Sequence, residues 1–550
     1  MRAACSVQYT RAVPAFARNW PKESGASRTR SSRLTLKAAT TPPRAASSQE
    51  ETSGHDTPEQ TSQMRQPQSQ VGQVSLDVVH DLNYLFDILP VLVVDKMDTD
   101  RLYKALERAV EKVPIVTGVL TQTEDDGEVG YAVEFDTTKR GVPFKVQTTD
   151  ALEDRKLARL LDSFDGKDVR DAGLSLDTFL ASHKNSLAVG IELAGPYRFG
   201  MDALLGEPVL KVQVTQARSC TVVVVAIAHV IGDYRCFEMF VRDTWIREYA
   251  SLYGDGNVAS DDSSPALWWD RSRFYSNLPS KCPGMSQASR DFPTKRAELI
   301  PERAERCKRN AQSMHDLEEC FSEMRISDSA LQKLCDSEGG SYFENVMNLV
   351  SPPGTGCIGF PFDTRLMRSR AEGGSDSMQY FGNGAVAVFG DVDSYKTLGG
   401  IGTVTKRDVR RCLSRRRDST PALDDIKSGA WSSFTMMPWT PWTSFDGTSN
   451  CSGSSMVYFR ALAESFRGTG LISSDFMFSF GMQQRDSVGY MQVLSVGNLS
   501  VIRNVLRAIS VRADALGLSN DDLQVNVYSL THGGLVESFP PYKASHRSSS

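Results

Sequence analysis

From Val74 onward, apolar residues recur with the periods of helices and strands; before that point they do not. Residues 90–94 form a short apolar run suited to a strand. Residues 99–112 predict a helix. Leu102, Leu106, Ala109, Val110 and Val113 fall on one face, Asp98 is placed to cap the start, and Pro114 ends it. Residues 209–214 and 221–228 predict adjacent strands. In the first, Leu210, Val212 and Val214 alternate with Lys211 and Gln213, which predicts one solvated face. The second belongs to the apolar run 222–231. That run is short and rich in valine, so it predicts a buried strand, and it falls below the ~18 apolar residues of a membrane span. Polar residues dominate 254–318, and Asp261, Asp262, Ser263, Ser264 and Pro265 mark an exposed turn. Beyond it, strands are predicted at 319–326, 476–481 and 489–496, and helices at 327–336 and 499–513. The pattern predicts an α/β chain with an N-terminal lobe over 74–253, a crossover over 254–318 and a C-terminal lobe over 319–545.

Composition changes this picture at the N-terminus. Arg2, Arg11, Arg18, Arg28, Arg30, Arg33 and Arg44 are set among Ser, Thr and Ala, with Glu23 the only acid before Glu50. Residues 1–46 therefore resemble an organelle transit peptide, with a plastid the expected destination and a mitochondrion or the cytoplasm the alternatives. Residues 47–73, rich in Gln, Ser, Glu and Thr, read as a disordered linker. The net charge of -5 supplies no basic footprint, so no nucleic-acid partner is expected. The ten cysteines, scattered from Cys5 to Cys451 without a Cys-x-x-Cys pair, argue against a zinc ribbon or a dithiol redox site and read as free thiols. No Gly-x-Ser-x-Gly elbow supports a serine hydrolase, and no phosphate-binding loop supports a nucleotide enzyme.

One segment carries candidate chemistry. The apolar run leads to His229, then to Gly232, which is expected to allow a tight turn, and then to Asp233. A histidine at the end of a rigid buried strand is held in place and can be partly desolvated while facing a cleft, as a general base requires. The His-x-x-x-Asp spacing alone is common; only its position after a long β-branched run separates His229 from the other six histidines.

In this context the chain resembles the BAHD family of plant and fungal CoA-dependent acyltransferases, within the His-x-x-x-Asp superfamily. Val74-Ser75-Leu76-Asp77 is similar to the family's Leu-Ser-x-x-Asp opening, and Thr117-Gly118-Val119-Leu120 after Pro114 to its Ala-Gly-Arg-Leu stretch. Phe240 and Trp245 stand where the family has a Phe and a Trp. Trp269-Asp270-Arg271-Ser272 resembles its Phe-Asp-Arg-Ser, Asp363-Thr364-Arg365 its Asp-x-Arg, and Tyr380-Phe381-Gly382-Asn383-Gly384 its Tyr-Phe-Gly-Asn-Ala. The chain departs from the family at Tyr234, where a Gly is usual. It departs again at the Asp-Phe-Gly-Trp-Gly signature, whose nearest counterpart is Ser444-Phe445-Asp446-Gly447-Thr448. Asp446 is the acid taken to correspond, although aligning Phe445 instead would put Ser444 there.

The resemblance implies a two-lobed fold, each lobe a mixed sheet with flanking helices, and an active-site channel between the lobes. It implies transfer of an acyl group, other than an aminoacyl group, from an acyl-CoA co-substrate to a small hydroxyl- or amine-bearing acceptor. No bound cofactor, no metal and a monomer are expected. His229 would be the base, and Asp233 would pair with Arg365 to hold the turn, with Gly232 and Asn383 as structural residues. Ser432, in Ser432-Ser433-Phe434, would donate to the oxyanion; Phe434 replaces a Trp that could. The competing expectation, motivated by the departures, is a catalytically weak paralogue that binds a metabolite or partner.

Overall fold

A computed structural model describes residues 71–76, 85–125, 128–136, 141–166, 169–183, 186–252, 266–276, 313, 315, 318–338, 345–346, 349–350, 357–365, 376–391, 395–398, 401–404, 431–436, 451–454, 476–485, 488–519 and 521–539. The segments 1–46 and, but for its last three residues, 47–73 lie outside the described residues, as does most of the crossover.

A small antiparallel sheet pairs β1 (Val71–Ser75) and β4 (Val119–Asp125) with β5 (Glu128–Asp136). Strand β1 begins inside the stretch read as linker. Val71, Gly72 and Gln73 pair opposite Asp136, Phe135 and Glu134, a backbone ladder that leaves no trace in the hydrophobic pattern.

The sheet that carries His229 is built around β8 (Cys220–Ala228), flanked by β3 (Val91–Asp95) and β7 (Leu210–Gln216). The two-residue β2 (Asp87–Ile88) also pairs with β8, and β6 (Phe144–Thr148) adds parallel to β7. Every residue of β8 is buried because both faces are covered. Val223, Val225 and Ile227 pack with the helix α1 (Thr99–Lys112), while Val222, Val224 and Ala226 pack with α2 (Arg155–Ser163), α3 (Val169–Ser182) and α4 (Ser186–Ala194). A strand covered twice needs apolar residues at every position, which explains the valine run; each such side chain is worth about 1.5–3 kcal/mol of burial. The Asp98 carboxylate caps α1 by accepting from the Asp100 and Arg101 N–H groups, as expected.

The solvated face expected of β7 is confined to its start, where Lys211 is part-exposed and pairs with Glu207. Gln213 is buried, and its amide donates to the Glu192 carbonyl of α4 at 2.7 Å. A helix from elsewhere in the chain covers that face, and the polar side chain is accommodated by a hydrogen bond.

The second half forms a mixed sheet in the order β11 (Ala385–Asp391), β10 (Cys357–Asp363), β14 (Trp431–Met436), β16 (Phe476–Arg485), β17 (Val488–Asn498), β9 (Glu319–Ser327), β18 (Leu523–Ser529) and β19 (Leu535–Phe539). The helices Asp328–Glu338 and Leu499–Ala515 pack on it over a third apolar cluster. A separate ribbon pairs β12 (Tyr395–Leu398) with β13 (Ile401–Val404). The halves are not independent in sequence: β15 (Cys451–Ser454) leaves the second half and pairs antiparallel with β3 at the edge of the His229 sheet. The fold is α/β, with a mixed sheet and flanking helices in each half.

Candidate active site

Strand β8 ends at Ala228, and His229 opens a one-turn 3-10 helix, His229–Ile231. Gly232 and Asp233 follow, and a helix runs unbroken from Tyr234 to Ser251. Its middle, Glu238–Trp245, is π-helical; the Ile246 N–H reaches back five residues to the Val241 carbonyl. The wider turn accompanies burial of Phe240 and Trp245, and the Trp245 indole N–H donates to the Leu102 carbonyl at 3.0 Å.

The imidazole of His229 is half-buried and gripped from the second half by Asn383. The Asn383 amide nitrogen donates to the carbonyls of His229 (2.9 Å) and Val230 (3.4 Å). That fixes the amide's orientation and leaves Oδ1 facing Nδ1 at 3.0 Å. Oδ1 can only accept, so Nδ1 carries the proton and the basic lone pair lies on Nε2. From the first half, the Phe86 carbonyl accepts the His229 backbone N–H at 2.8 Å, and the Phe86 ring meets the imidazole edge-on at 4.9 Å.

Asp233 is buried and accepts six hydrogen bonds. Oδ1 takes the N–H groups of Arg235 and Cys236, capping the following helix, and Oδ2 takes those of Gly384 and Ala385. Arg365, wholly buried, adds a two-pronged ion pair, Nη1 to Oδ2 at 2.9 Å and Nη2 to Oδ1 at 3.1 Å. Burial pushes the Asp233 carboxyl up, but the Arg365 charge and hydrogen bonds outweigh it, and the net direction is down. Arg365 also donates to the carbonyls of Tyr380 and Gly382 and to Asp363. Burial pushes the Asp363 carboxyl up more than Arg365 pulls it down. Asp233 thus joins the turn to the 380–385 segment.

Two glycines make these approaches possible. Gly232 has φ 175, ordinary extended backbone, so a special turn conformation is not the reason for it. A Cβ there would come within 2.6 Å of the Cys236 sulfur, so the residue is needed for space. At Gly384, where the resemblance leads one to expect Ala, a Cβ would lie 2.6 Å from the Arg365 guanidinium.

Sequence reasoning assigned no role to Arg271. Its side chain is buried and donates to the carbonyls of Val230 (3.3 Å) and Ile231 (3.0 Å), holding the same turn from the crossover region. The signal was present in the Trp269–Ser272 motif, but only the fold shows what it touches. The Tyr234 ring is half-buried, packs against the clusters on both sides of the sheet and tilts on Phe237 at 5.6 Å.

The described backbone places Ser432 in β14, beside β10. Trp431 stands opposite Cys357 and Ser433 opposite Ile358, so Ser432 is an extra residue beside the start of β10, whereas Arg365 follows its end. The Ser432 side chain and the whole of Asp446 lie outside the described residues. Among the described residues, no three His, Cys, Asp or Glu side chains converge as a metal site requires, and no helix is long and apolar enough to cross a membrane.

No family model matches the chain, and no curated protein sequence matches it. Among solved structures it is similar to TRI101 of F. graminearum, determined with coenzyme A and T-2 mycotoxin, at 13% identity over 78% of this chain and 96% of that one, TM-score 0.47. It is also similar to the tallysomycin biosynthesis protein TlmII, at 13% identity over 81% and 98%, TM-score 0.43. A four-domain nonribosomal peptide synthetase matches at 12% identity over 83% of this chain and 34% of that one, TM-score 0.46. At such identities the likeness is one of chain path and does not extend to substrates or residue roles.

Proposed function

We propose that the chain is an acyltransferase that moves an acyl group from an acyl-CoA thioester to the hydroxyl or amine of a small acceptor, with His229 as general base. The observation that carries this reading is the Asn383 clamp. It holds the proton on Nδ1 and presents Nε2 as the base, on a half-buried ring at the meeting of the two halves. Nε2 takes the acceptor's proton as its oxygen or nitrogen bonds to the thioester carbonyl carbon. The carbon–sulfur bond then breaks, and the imidazolium returns the proton to the departing thiolate. Asp233, Arg365, Arg271 and Asn383 keep the turn rigid, which matters because misplacement of a base by an ångström costs rate steeply.

The test is thiol release from a panel of acyl-CoAs, with and without alcohols and amines, for the wild type and His229→Ala. The variant is expected to fold normally and lose about 10²- to 10⁴-fold in turnover. Normal turnover in the folded variant would refute the general-base role. A wild type that releases no thiol from any donor would favour a binding protein.

A further inference from the structure

Beside the strand end that leads to His229 lies a second buried ion pair. Asp87 is fully buried and Arg198 nearly so. The guanidinium grips the carboxylate with Nε to Oδ2 at 2.8 Å and Nη2 to Oδ1 at 2.6 Å, and the Arg198 backbone N–H adds a third bond to Oδ2 at 3.1 Å. The remaining Arg198 nitrogen, Nη1, donates to the Pro208 carbonyl. The Asp87 N–H in turn donates to the Arg198 carbonyl at 3.2 Å, and Phe86 bridges Phe199.

The pair's place in the fold gives it a consequence. Asp87 is half of the two-residue β2 and pairs with Ala228, directly before His229. Directly before Asp87 is Phe86, whose carbonyl takes the His229 N–H and whose buried ring abuts the imidazole. β2 continues β3 against β8 in one register, Ile88 opposite Ile227 and Val91 opposite Val224, with Leu89 and Pro90 between them, and Asp87 and Phe86 are the last residues of that run beside His229. The carboxylate adds a second anchorage from the other side, tying the end of this run to the segment 198–208. A buried ion pair is in general replaceable by apolar residues of like volume without loss of stability, so overall stability is a weak reason for this one.

We propose that Asp87 and Arg198 are positioning residues for His229, acting through Phe86. They hold the imidazole from the first half as Asn383 holds it from the second. The proposal rests on the general-base reading of His229 for its effect on rate, but not for its effect on the ring.

Three variants of the full chain test it: Asp87→Leu with Arg198→Met, which replaces the pair by apolar groups; Arg198→Lys, which keeps the charge and loses the two-pronged grip; and Phe86→Leu, which removes the ring edge and keeps the carbonyl. Each folded variant is expected to show kcat lowered by about 10- to 100-fold, with KM for the acyl-CoA within about threefold. Nitrogen-15 spectra of the imidazoles give an independent readout. The chain has seven histidines, and the His229 signals are those missing in His229→Ala. They are expected to move from an Nδ1–H pattern towards an average of the two tautomers. Unchanged His229 signals in folded Arg198→Lys and Phe86→Leu would overturn the proposal. Should His229→Ala keep full turnover, the general-base reading falls while the spectra still decide whether the pair positions the ring.

Discussion

Asp233 accepts bonds from both ends of the site, so its loss releases the turn and the 380–385 segment together. Asp233→Ala and Arg365→Ala are each expected to cost about 3–5 kcal/mol, because each leaves a buried charge without its partner. The double variant should fall short of the sum by about 0.5–3 kcal/mol in urea unfolding; additive losses would show that the pair is not coupled. The pH dependence follows from the lowered Asp233 pKa. A depressed carboxylate contributes stability above the ordinary value of about 3.9 and loses it as pH falls through the folded value. The stability gap between wild type and Asp233→Ala should therefore be level from pH 7 to 5 and narrow only below about 4, read from melting curves. At this scale the sequence was legible where a motif fixes a residue type. Asp233 pairs with Arg365 as the resemblance implies, and Asn383, expected only as a structural residue, meets His229. Arg271, Phe86, Asp87 and Arg198 were not seen, because their roles come from backbone carbonyls and strand pairings that residue type does not encode.

The helix that begins after Asp233 carries a thiol into the site's packing. Cys236 exchanges hydrogen bonds with the Gly382 backbone, and burial, followed by the nearby Asp233 charge, pushes its pKa up to about 12. Burial pushes Cys220 and Cys320 up to about 12 as well. Thiolates are the reactive form, so iodoacetamide at pH 8 should leave these three unmodified in the native protein and label them after unfolding, as read by peptide mass spectrometry. Prompt labelling of native Cys236 would mean the turn opens readily. Because Cys236 is fixed, it cannot yield to a Cβ at position 232. Gly232→Ala should cost about 1–3 kcal/mol by overpacking and lower turnover as the turn shifts; an unchanged melting temperature would count against this packing. Elements with a strong period were legible: α1, β3, β8 and the helix Leu499–Ala515 fall where apolar spacing places them. The covered second face of β7 was not, since the packing of α4 against it is tertiary and leaves no period within the strand itself. The π-helical stretch was not either, since its apolar residues read equally well at the α period.

At the scale of the whole molecule, β1 is the first strand of the described chain, and its pairing with β5 yields an expectation for truncation. Removal of residues 1–70 should leave melting and turnover unchanged. Removal of residues 1–75 deletes the whole ladder opposite β5 and should lower the melting temperature; equal melting of the two truncations would show that β1 adds nothing. The α/β class was legible from the alternation of strand and helix patterns, but the strand order was not, because non-local pairing leaves no periodic signal. The pairing of β15 with β3 is the clearest case, and it bears on how the protein is made. Roughly 350 residues separate the two strands. At 5–20 residues per second, a ribosome needs some tens of seconds to travel from one to the other. During that time the nascent first half carries β3 as an open edge of buried-type valines, a template for pairing with any other extended chain. Synthesis thus contains an interval in which the sheet that bears His229 lacks its edge strand, and the interval ends only when Cys451–Ser454 leaves the exit tunnel.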